Sequence, residues 1–240
     1  GCGFIGSNLG IFLKEKIKNA KITSIDNLSR KGSEFNKKRL LKKKIKNFKI
    51  DISQKNNLVK LPKFNLVIHC AAEPAIEASR KKIHEVFNSN LVGTFNILNK
   101  CIKDKSNIIY LSSSRVYSIK DLFKLKKKGS IKESFNVENS KSIYGFTKLS
   151  SELLIKEYSY LHKINYIINR VALVSGPWQF GKEEQGFVSL WVWRHLKRLK
   201  LSYIGFGGTG RQVRDVLHVI DLCELIFIQI KKLKKINNKL

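Results

Sequence analysis

Gly1-Cys2-Gly3-Phe4-Ile5-Gly6-Ser7-Asn8 opens the chain, and the reading of this stretch decides the fold. Gly1, Gly3 and Gly6 form a Gly-x-Gly-x-x-Gly string directly before an apolar stretch of helical periodicity. Glycine there lets the backbone approach a pyrophosphate, while the helix N-terminus supplies N–H donors and the positive end of its dipole. On its own the string equally describes a glycine-rich turn. Asp26 separates the two readings. It ends the next β-rich run about 20 residues on, where a carboxylate takes the ribose hydroxyls of an adenosine. A carboxylate there repels a 2′-phosphate, which favours NAD over NADP; Arg30 and Lys31 nearby are the counterweight.

Outward from this loop, short β-rich runs at residues 22–26, 48–52, 66–71, 108–112 and 166–174 alternate with amphipathic stretches at 7–18, 85–102 and 142–160. The alternation predicts an α/β fold, a Rossmann-type doubly wound parallel sheet with helices on both faces. Residues 118–141, with a lysine run at 126–128, Gly129 and several Ser and Asn, predict a surface loop. Beyond Gly176, glycines at 181, 186, 205, 207, 208 and 210 surround an apolar helix over 187–199. That change predicts a cofactor-binding domain over 1–175 and a smaller, partial C-terminal lobe over 176–240, with Trp191 and Trp193 as packing residues. The chain has no Met and begins inside the phosphate-binding loop, so it reads as a fragment lacking the first strand and a C-terminal tail.

A chain of 240 residues, 42% hydrophobic, buries a full core. No run of about 18 apolar residues is present to make a membrane-spanning helix, and nothing at the start reads as a signal peptide. Cys2, Cys70, Cys101 and Cys223 form no Cys-x-x-Cys pair and sit among apolar neighbours, which points to a reduced, cytoplasmic setting without structural metal. The formal charge of +29 raises the possibility of nucleic acid as a partner. The lysines, however, spread along the whole chain, with clusters at 42–44 and 126–128 and no aromatic interleaving to stack bases. They read as a solvated surface that also attracts an anionic substrate.

Asp51, ending the run after Lys49 and Ile50, has two open readings: an acceptor for the adenine amino group, or a helix N-cap. His69-Cys70-Ala71-Ala72 puts small residues at a strand's C-terminal end, where open parallel sheets bind ligands; His69 itself reads as a packed histidine. Ser112, Ser113 and Ser114 close the strand that begins at Ile108, and Tyr144 and Lys148 stand four apart at the start of a helix, hence on one face. Of the tyrosines, only Tyr144 has a lysine at that offset. Its place after a serine-bearing strand end points to a catalytic set and not a surface pair.

Together, Gly-Cys-Gly-Phe-Ile-Gly-Ser-Asn, Ile-Asp-Asn-Leu-Ser-Arg-Lys-Gly, Ser-Ser-Ser-Arg-Val-Tyr, Tyr144-x-x-x-Lys148 and Gly-Arg-Gln-Val-Arg-Asp-Val-Leu-His resemble the extended short-chain dehydrogenase/reductase family of NAD-dependent epimerases and dehydratases. These motifs cover nearly the whole chain. The family pattern is Gly-x-x-Gly-x-x-Gly, so Gly3 and Gly6 match its last two glycines. Within the family, residues 26–32, 72–79, 176–187 and 207–218 most resemble the CDP-paratose 2-epimerases, enzymes of polysaccharide biosynthesis. Leu173 departs from the Asn that many relatives acting at sugar carbon 4 carry after Arg170, and Ser114 and Arg115 replace the Asp-Glu that dehydratases carry after the active-site hydroxyl.

The resemblance implies NAD as cofactor, a nucleotide-sugar as substrate and a homodimer. It implies cofactor contacts from Gly1, Gly3, Phe4, Ile5, Gly6, Asp26, Asn27, Arg30, Asp51, Ile52, Ala71, Ala72, Asn90, Tyr144 and Lys148. Tyr144 becomes the general base and acid, Lys148 the cation that acidifies it, and Ser113 the hydroxyl that holds the reacting sugar oxygen. Substrate contacts fall on Ser114, Arg115, Gln179 and Arg214, with Trp178, Lys182 and Gln185 lining the same loop. Arg214 alternatively pairs with Asp215 or Asp221, and Trp178 alternatively caps the core. The implied reaction is epimerisation at carbon 2 of a CDP-sugar through a transient ketone. Its alternatives are a 4-epimerase, a 4,6-dehydratase or, from a different class, an RNA-binding protein on a dinucleotide fold, against which Ser113, Tyr144 and Lys148 weigh.

Overall fold

The computed structural model describes residues 1–74, 82–124, 131–139, 141–181, 185–203 and 206–233. Lys182, the lysines at 126–128, Gly129 and Gly205 lie outside them. Helix α1 (Phe4–Lys16) follows the glycine loop, then come β1 (Thr23–Ile25), α2 (Ser33–Lys42), β2 (Lys46–Phe48), α3 (Lys55–Leu58) and β3 (Leu66–His69). Helices α4 (Ile83–Phe87) and α5 (Gly93–Asp104) are joined by a π-helical turn (Asn88–Val92). Strand β4 (Asn107–Ser113) runs into a 3-10 turn (Ser114–Val116), and α6 (Ile119–Lys124), α7 (Ile143–His162), β5 (Tyr166–Val171) and β6 (Leu173–Ser175) follow. Last come α8 (Phe187–Leu196), β7 (Val216–His218) and α9 (Val219–Lys231).

All strand pairing is parallel: β1 with β2, β3–β4–β5 in that order, and β6 with β7. Side chains alternate faces along a strand, and β4 uses both. Ile108 and Tyr110 enter one core with Ile97, Leu98 and Cys101 of α5, Ile155 of α7 and Ile168 of β5. Ile109 and Leu111 enter a second core with Leu9 and Leu13 of α1 and Leu222, Cys223 and Ile226 of α9. Helices therefore cover both faces of the central ladder, as a doubly wound parallel sheet requires. The four cysteines are free thiols.

Several predicted elements shift. The run at 48–52 is a strand only through Phe48; Ile50 and Ile52 pack into the first core from the turn that follows, which is why the sequence alternates there. The run at 166–174 breaks at Ala172, where the chain changes partner from β4 to β7. Helix α2 was not anticipated because only Ser33, Asn36 and Leu40 of its residues are buried, too few for an apolar stripe. Helix α9 was missed although it carries a buried stripe at helical spacing, Val219, Leu222, Cys223 and Ile226. Residues 118–141 contain α6 besides loop. Trp193 is 51% exposed and does not pack in the core, whereas Trp191 rests against Tyr203 with ring centroids 5.3 Å apart.

Candidate functional site

The predicted cofactor and reactive residues converge on the C-terminal ends of the parallel strands: Asp26 after β1, Asp51 beyond β2, Ala71 and Ala72 beyond β3, and Ser113 at the end of β4. Ligands of open α/β sheets bind at this rim. The three glycines of the first loop are not equivalent. A Cβ on Gly1 would lie 2.1 Å from Ser24 Oγ, and one on Gly6 2.7 Å from the Gly1 carbonyl oxygen, so both are demanded by internal packing. A Cβ on Gly3 would meet nothing within 4 Å. Gly3 is the N-cap of α1 without a side-chain cap, and the first turn carries no acidic residue, so Phe4, Ile5 and Gly6 offer their N–H groups to an anion.

Asp26 accepts from the Cys2 N–H (2.8 Å) and the Leu28 N–H (2.8 Å). The Gly1 nitrogen lies 3.1 Å from its Oδ2, so the glycine loop and the end of β1 are tied together at this carboxylate. Asn27 donates to Asp51 Oδ2 at 3.1 Å, joining the ends of β1 and β2. Asp51 Oδ1 accepts from the Ser53 N–H (2.9 Å) and hydroxyl (2.7 Å); the N-cap of α3 is Gln54, so Asp51 is a turn former here and not the helix cap. Ile52 packs into the first core. Arg30 donates to Gln185 Oε1.

The reactive group is built by α7 lying along β4. Ser142 caps α7 by accepting from the Gly145 N–H at 3.1 Å. Gly145 is required: a Cβ there would stand 2.2 Å from the Arg115 carbonyl oxygen. Its absence lets the 3-10 turn after Ser113 press against the helix beside Tyr144. Tyr144 and Lys148 are both buried, and Lys148 Nζ donates to the Leu111 carbonyl while lying 4.2 Å over the Tyr110 ring. Burial draws the Lys148 ammonium below the usual lysine range, against the opposing pull of Tyr144, Cys70 and Glu152. Ser113 Oγ accepts from the Arg115 N–H at 3.2 Å, which leaves its own O–H proton to be donated elsewhere.

Arg115 and Arg214 lie within electrostatic reach of each other and Arg115 within that of Tyr144; burial, then Arg214, lowers the Arg115 guanidinium, and Tyr144 opposes. Arg214 is exposed and its Nη1 donates to the Val213 carbonyl. Ser114 opens the 3-10 turn that carries Arg115. Gln179 is engaged internally. Its Nε2 donates to the Val174 carbonyl, and its Oε1 accepts from Ser175 and Ser189 hydroxyls, so it shapes the loop wall between β6 and α8.

Asn90, fully buried in the π turn, accepts from the Glu73 N–H (2.7 Å) and donates to Thr147 Oγ1 (3.1 Å). It ties the loop beyond Ala72 to the helix carrying Tyr144, and π turns recur at functional sites. His69 packs as predicted: its Nε2 shares a 3.0 Å hydrogen bond with Thr94, and burial lowers its pKa to about 3, which keeps it neutral. Glu152 was missed. It continues the Tyr144, Lys148 stripe by one more step of four, accepts from Ser112 Oγ, and receives Arg170 at 2.7 Å in a buried ion pair. The four-residue step was its signal. Asn8 and Arg39 were also missed.

A family model described as the NAD dependent epimerase/dehydratase family matches residues 1–239. The chain belongs to that family. CDP-paratose 2-epimerase from Salmonella typhi is 30% identical over 98% of this chain and 74% of its own length. dTDP-D-glucose 4,6-dehydratase from Dictyostelium discoideum is 29% identical over 97% of this chain, which spans 54% of that relative. UDP-glucose 4-epimerase from Thermotoga maritima superposes with a TM-score of 0.83 at 24% identity, over 100% of this chain and 73% of that one, a likeness of fold. NAD is the cofactor of the epimerase/dehydratase family, and the residues present fit it: an open approach at Gly3, N–H groups on the first turn of α1 with no side-chain cap, and a carboxylate at Asp26 held by two backbone N–H donors at the end of β1. Among the described residues no group of His, Cys, Asp and Glu forms a metal site, and no helix is long and apolar enough to cross a membrane.

Proposed function

We propose that this chain is an NAD-dependent nucleotide-sugar epimerase inverting carbon 2 of a CDP-sugar. One observation carries the reading: the 3-10 turn after β4 brings Ser113, Arg115 and the Tyr144–Lys148 helix together, with Ser114 and Arg115 where dehydration calls for an Asp-Glu pair to give and take protons. The 30% identical CDP-paratose 2-epimerase supports the choice of sugar and nucleotide.

In this reading Tyr144 takes the proton of the sugar hydroxyl at carbon 2, beside Lys148, whose ammonium the Leu111 carbonyl holds in place. Ser113, its oxygen already accepting from the Arg115 N–H, donates to the same sugar oxygen. NAD, when bound, would supply the acceptor and donor of the carbon 2 hydride, so that inversion at that carbon needs a ketone whose other face is presented. Tyr144 then gives its proton back, so no outside redox partner is needed. Gly1, Gly3, Phe4, Ile5 and Gly6 hold the cofactor's pyrophosphate; Asp26, Asn27, Arg30, Asp51 and Ile52 border its adenosine; and Ala71, Ala72 and Asn90 wall the path to the nicotinamide. Arg115 and Arg214 bind the diphosphate, with Ser114 and Gln179 shaping the wall around it. Residues 1–175, with β7 paired to β6 and α9 packed on α1, form the cofactor domain, and the segment between Gly176 and β7 forms part of the nucleotide-sugar lobe. The exposed Phe87, Phe95 and Leu153, on α4, α5 and α7, form the face of a homodimer.

Proton NMR of the protein with NAD and CDP-paratose, with Tyr144→Phe as control, tests the proposal. CDP-tyvelose made by the native protein and absent with the variant is the expected result. A 4-keto-6-deoxy product from dTDP-glucose, with CDP-paratose untouched, would mean a dehydratase, the class of the 29% identical relative.

A further inference from the structure

The loop following β6 is fastened to the cofactor side of the molecule at four points. Asn8, in the first turns of α1, donates its Nδ2 both to the Phe4 carbonyl (3.0 Å) and to the Pro177 carbonyl (2.9 Å). Phe180 lies on Gly32, where a Cβ would come within 2.7 Å of its ring, and its ring centroid is 5.7 Å from that of Phe35. Arg30 donates to Gln185. The fourth point is Arg39 of α2. Its guanidinium donates to Asn8 Oδ1 (3.0 Å) and Asn36 Oδ1 (3.0 Å), and its planar face covers the Trp178 ring, 4.2 Å from the centroid.

Trp178 makes this last contact informative. Its φ of 67° is the left-handed region, costly for a bulky side chain and maintained only where surroundings impose it. The ring is 50% exposed, so burial does not supply the constraint. The Arg39 stack holds the ring, beside the Asn8 bond to the Pro177 carbonyl and the Gln179 hydrogen bonds that pin the backbone on either side, and Arg39 is itself fixed through Asn8 to the helix that follows the glycine loop. Lysine could not do the same, having neither the planar face nor the forked donors.

We propose that Arg39 is a positioning residue that links the glycine loop to the Trp178 loop, so that NAD on residues 1–6 fixes the loop bordering the nucleotide-sugar site. The proposal rests on the cofactor reading of that loop. Trp191→Phe with Trp193→Phe leaves Trp178 as the single tryptophan of the chain's three, and therefore a direct reporter. Its accessibility to acrylamide is measured while NAD is titrated, with NAD binding followed in parallel by calorimetry. NAD is expected to lower the quenching constant of Trp178. Arg39→Ala and Arg39→Lys are both expected to lose that response while NAD still binds and the circular dichroism spectrum is unchanged.

A full response surviving in either variant overturns the proposal, since Arg39 would then carry no coupling. So does bound NAD that leaves Trp178 unaltered in the parent. No heat of NAD binding to the parent would instead remove the cofactor reading, and the proposal with it. Should Arg39→Ala fail to fold, Arg39→Lys decides alone.

Discussion

Gly3→Ala and Gly6→Ala differ by the same methyl group three residues apart, yet the structure assigns them opposite failures. At Gly6 the new Cβ would stand 2.7 Å from the Gly1 carbonyl oxygen and 3.2 Å from Gly1 Cα, both backbone atoms that cannot rotate away. Overpacking of that kind costs about 1–3 kcal/mol, which lowers Tm by roughly 2–12 °C in a chain of this size. At Gly3 the Cβ meets nothing within 4 Å, and φ −65°, ψ 175° is ordinary extended backbone for alanine. Stability should therefore stay within about 1 kcal/mol of the native value, because alanine also loses less chain entropy on folding. What Gly3→Ala fills is the space through which a pyrophosphate would approach the first-turn N–H groups. Losing one hydrogen bond to a charged group costs about 1.5–3 kcal/mol, so the Kd for NAD should rise roughly 10–150-fold. Calorimetric titration with NAD beside a thermal melt reads both quantities. Native NAD affinity in Gly3→Ala would refute the assignment of residues 1–6 as the cradle.

The neighbouring serines should separate in the same way. Ser113→Ala is expected to lower kcat on the epimerised sugar by about 10²–10³-fold with an unchanged melt, while Ser112→Ala, which removes a hydrogen bond to buried Glu152, lowers Tm instead. Glu152→Ala leaves Arg170 buried and uncompensated at about 3–5 kcal/mol, a Tm loss of roughly 6–20 °C; a loss under about 2 °C would show the pair to be dispensable. His69 is neutral in the fold down to about pH 3, whereas its unfolded form takes a proton below pH 6.5. The native protein must therefore lose stability through that proton as pH falls from 6.5 toward 3, by about 2–3 kcal/mol at pH 4.5. In His69→Gln, which keeps a partner for Thr94, that part of the acid slope in urea melts should vanish; an identical slope would contradict the neutral buried imidazole.

Local order determined what the sequence could announce. Glycine spacing, Asp26 at a strand end and the four-residue step from Tyr144 to Lys148 each act within one turn or one strand, so their geometry follows from backbone periods. The alternation of β-rich and amphipathic stretches, confirmed in β1, β3, β4, α1 and α7, belongs to the same class and sufficed for the doubly wound fold. Where local signals were blank, the sequence was silent. Helix α2 has too few buried residues to show a stripe.

Tertiary structure decided which side chains meet. Ser112 and Ser113 are alike in local pattern, and the family resemblance alone singled out Ser113; opposite faces of β4 send one to Glu152 and the other to the Arg115 turn. Gly145 looks like any helix glycine until the Arg115 carbonyl is found where its Cβ would be. Gln179, Arg39 and Trp178 are polar and aromatic residues of no evident spacing; their partners lie on other elements, and Asn8 reaches Pro177 across 169 residues of chain. Such contacts have no period along the chain because they are set by how helices pack on the sheet, and packing is a property of the whole fold.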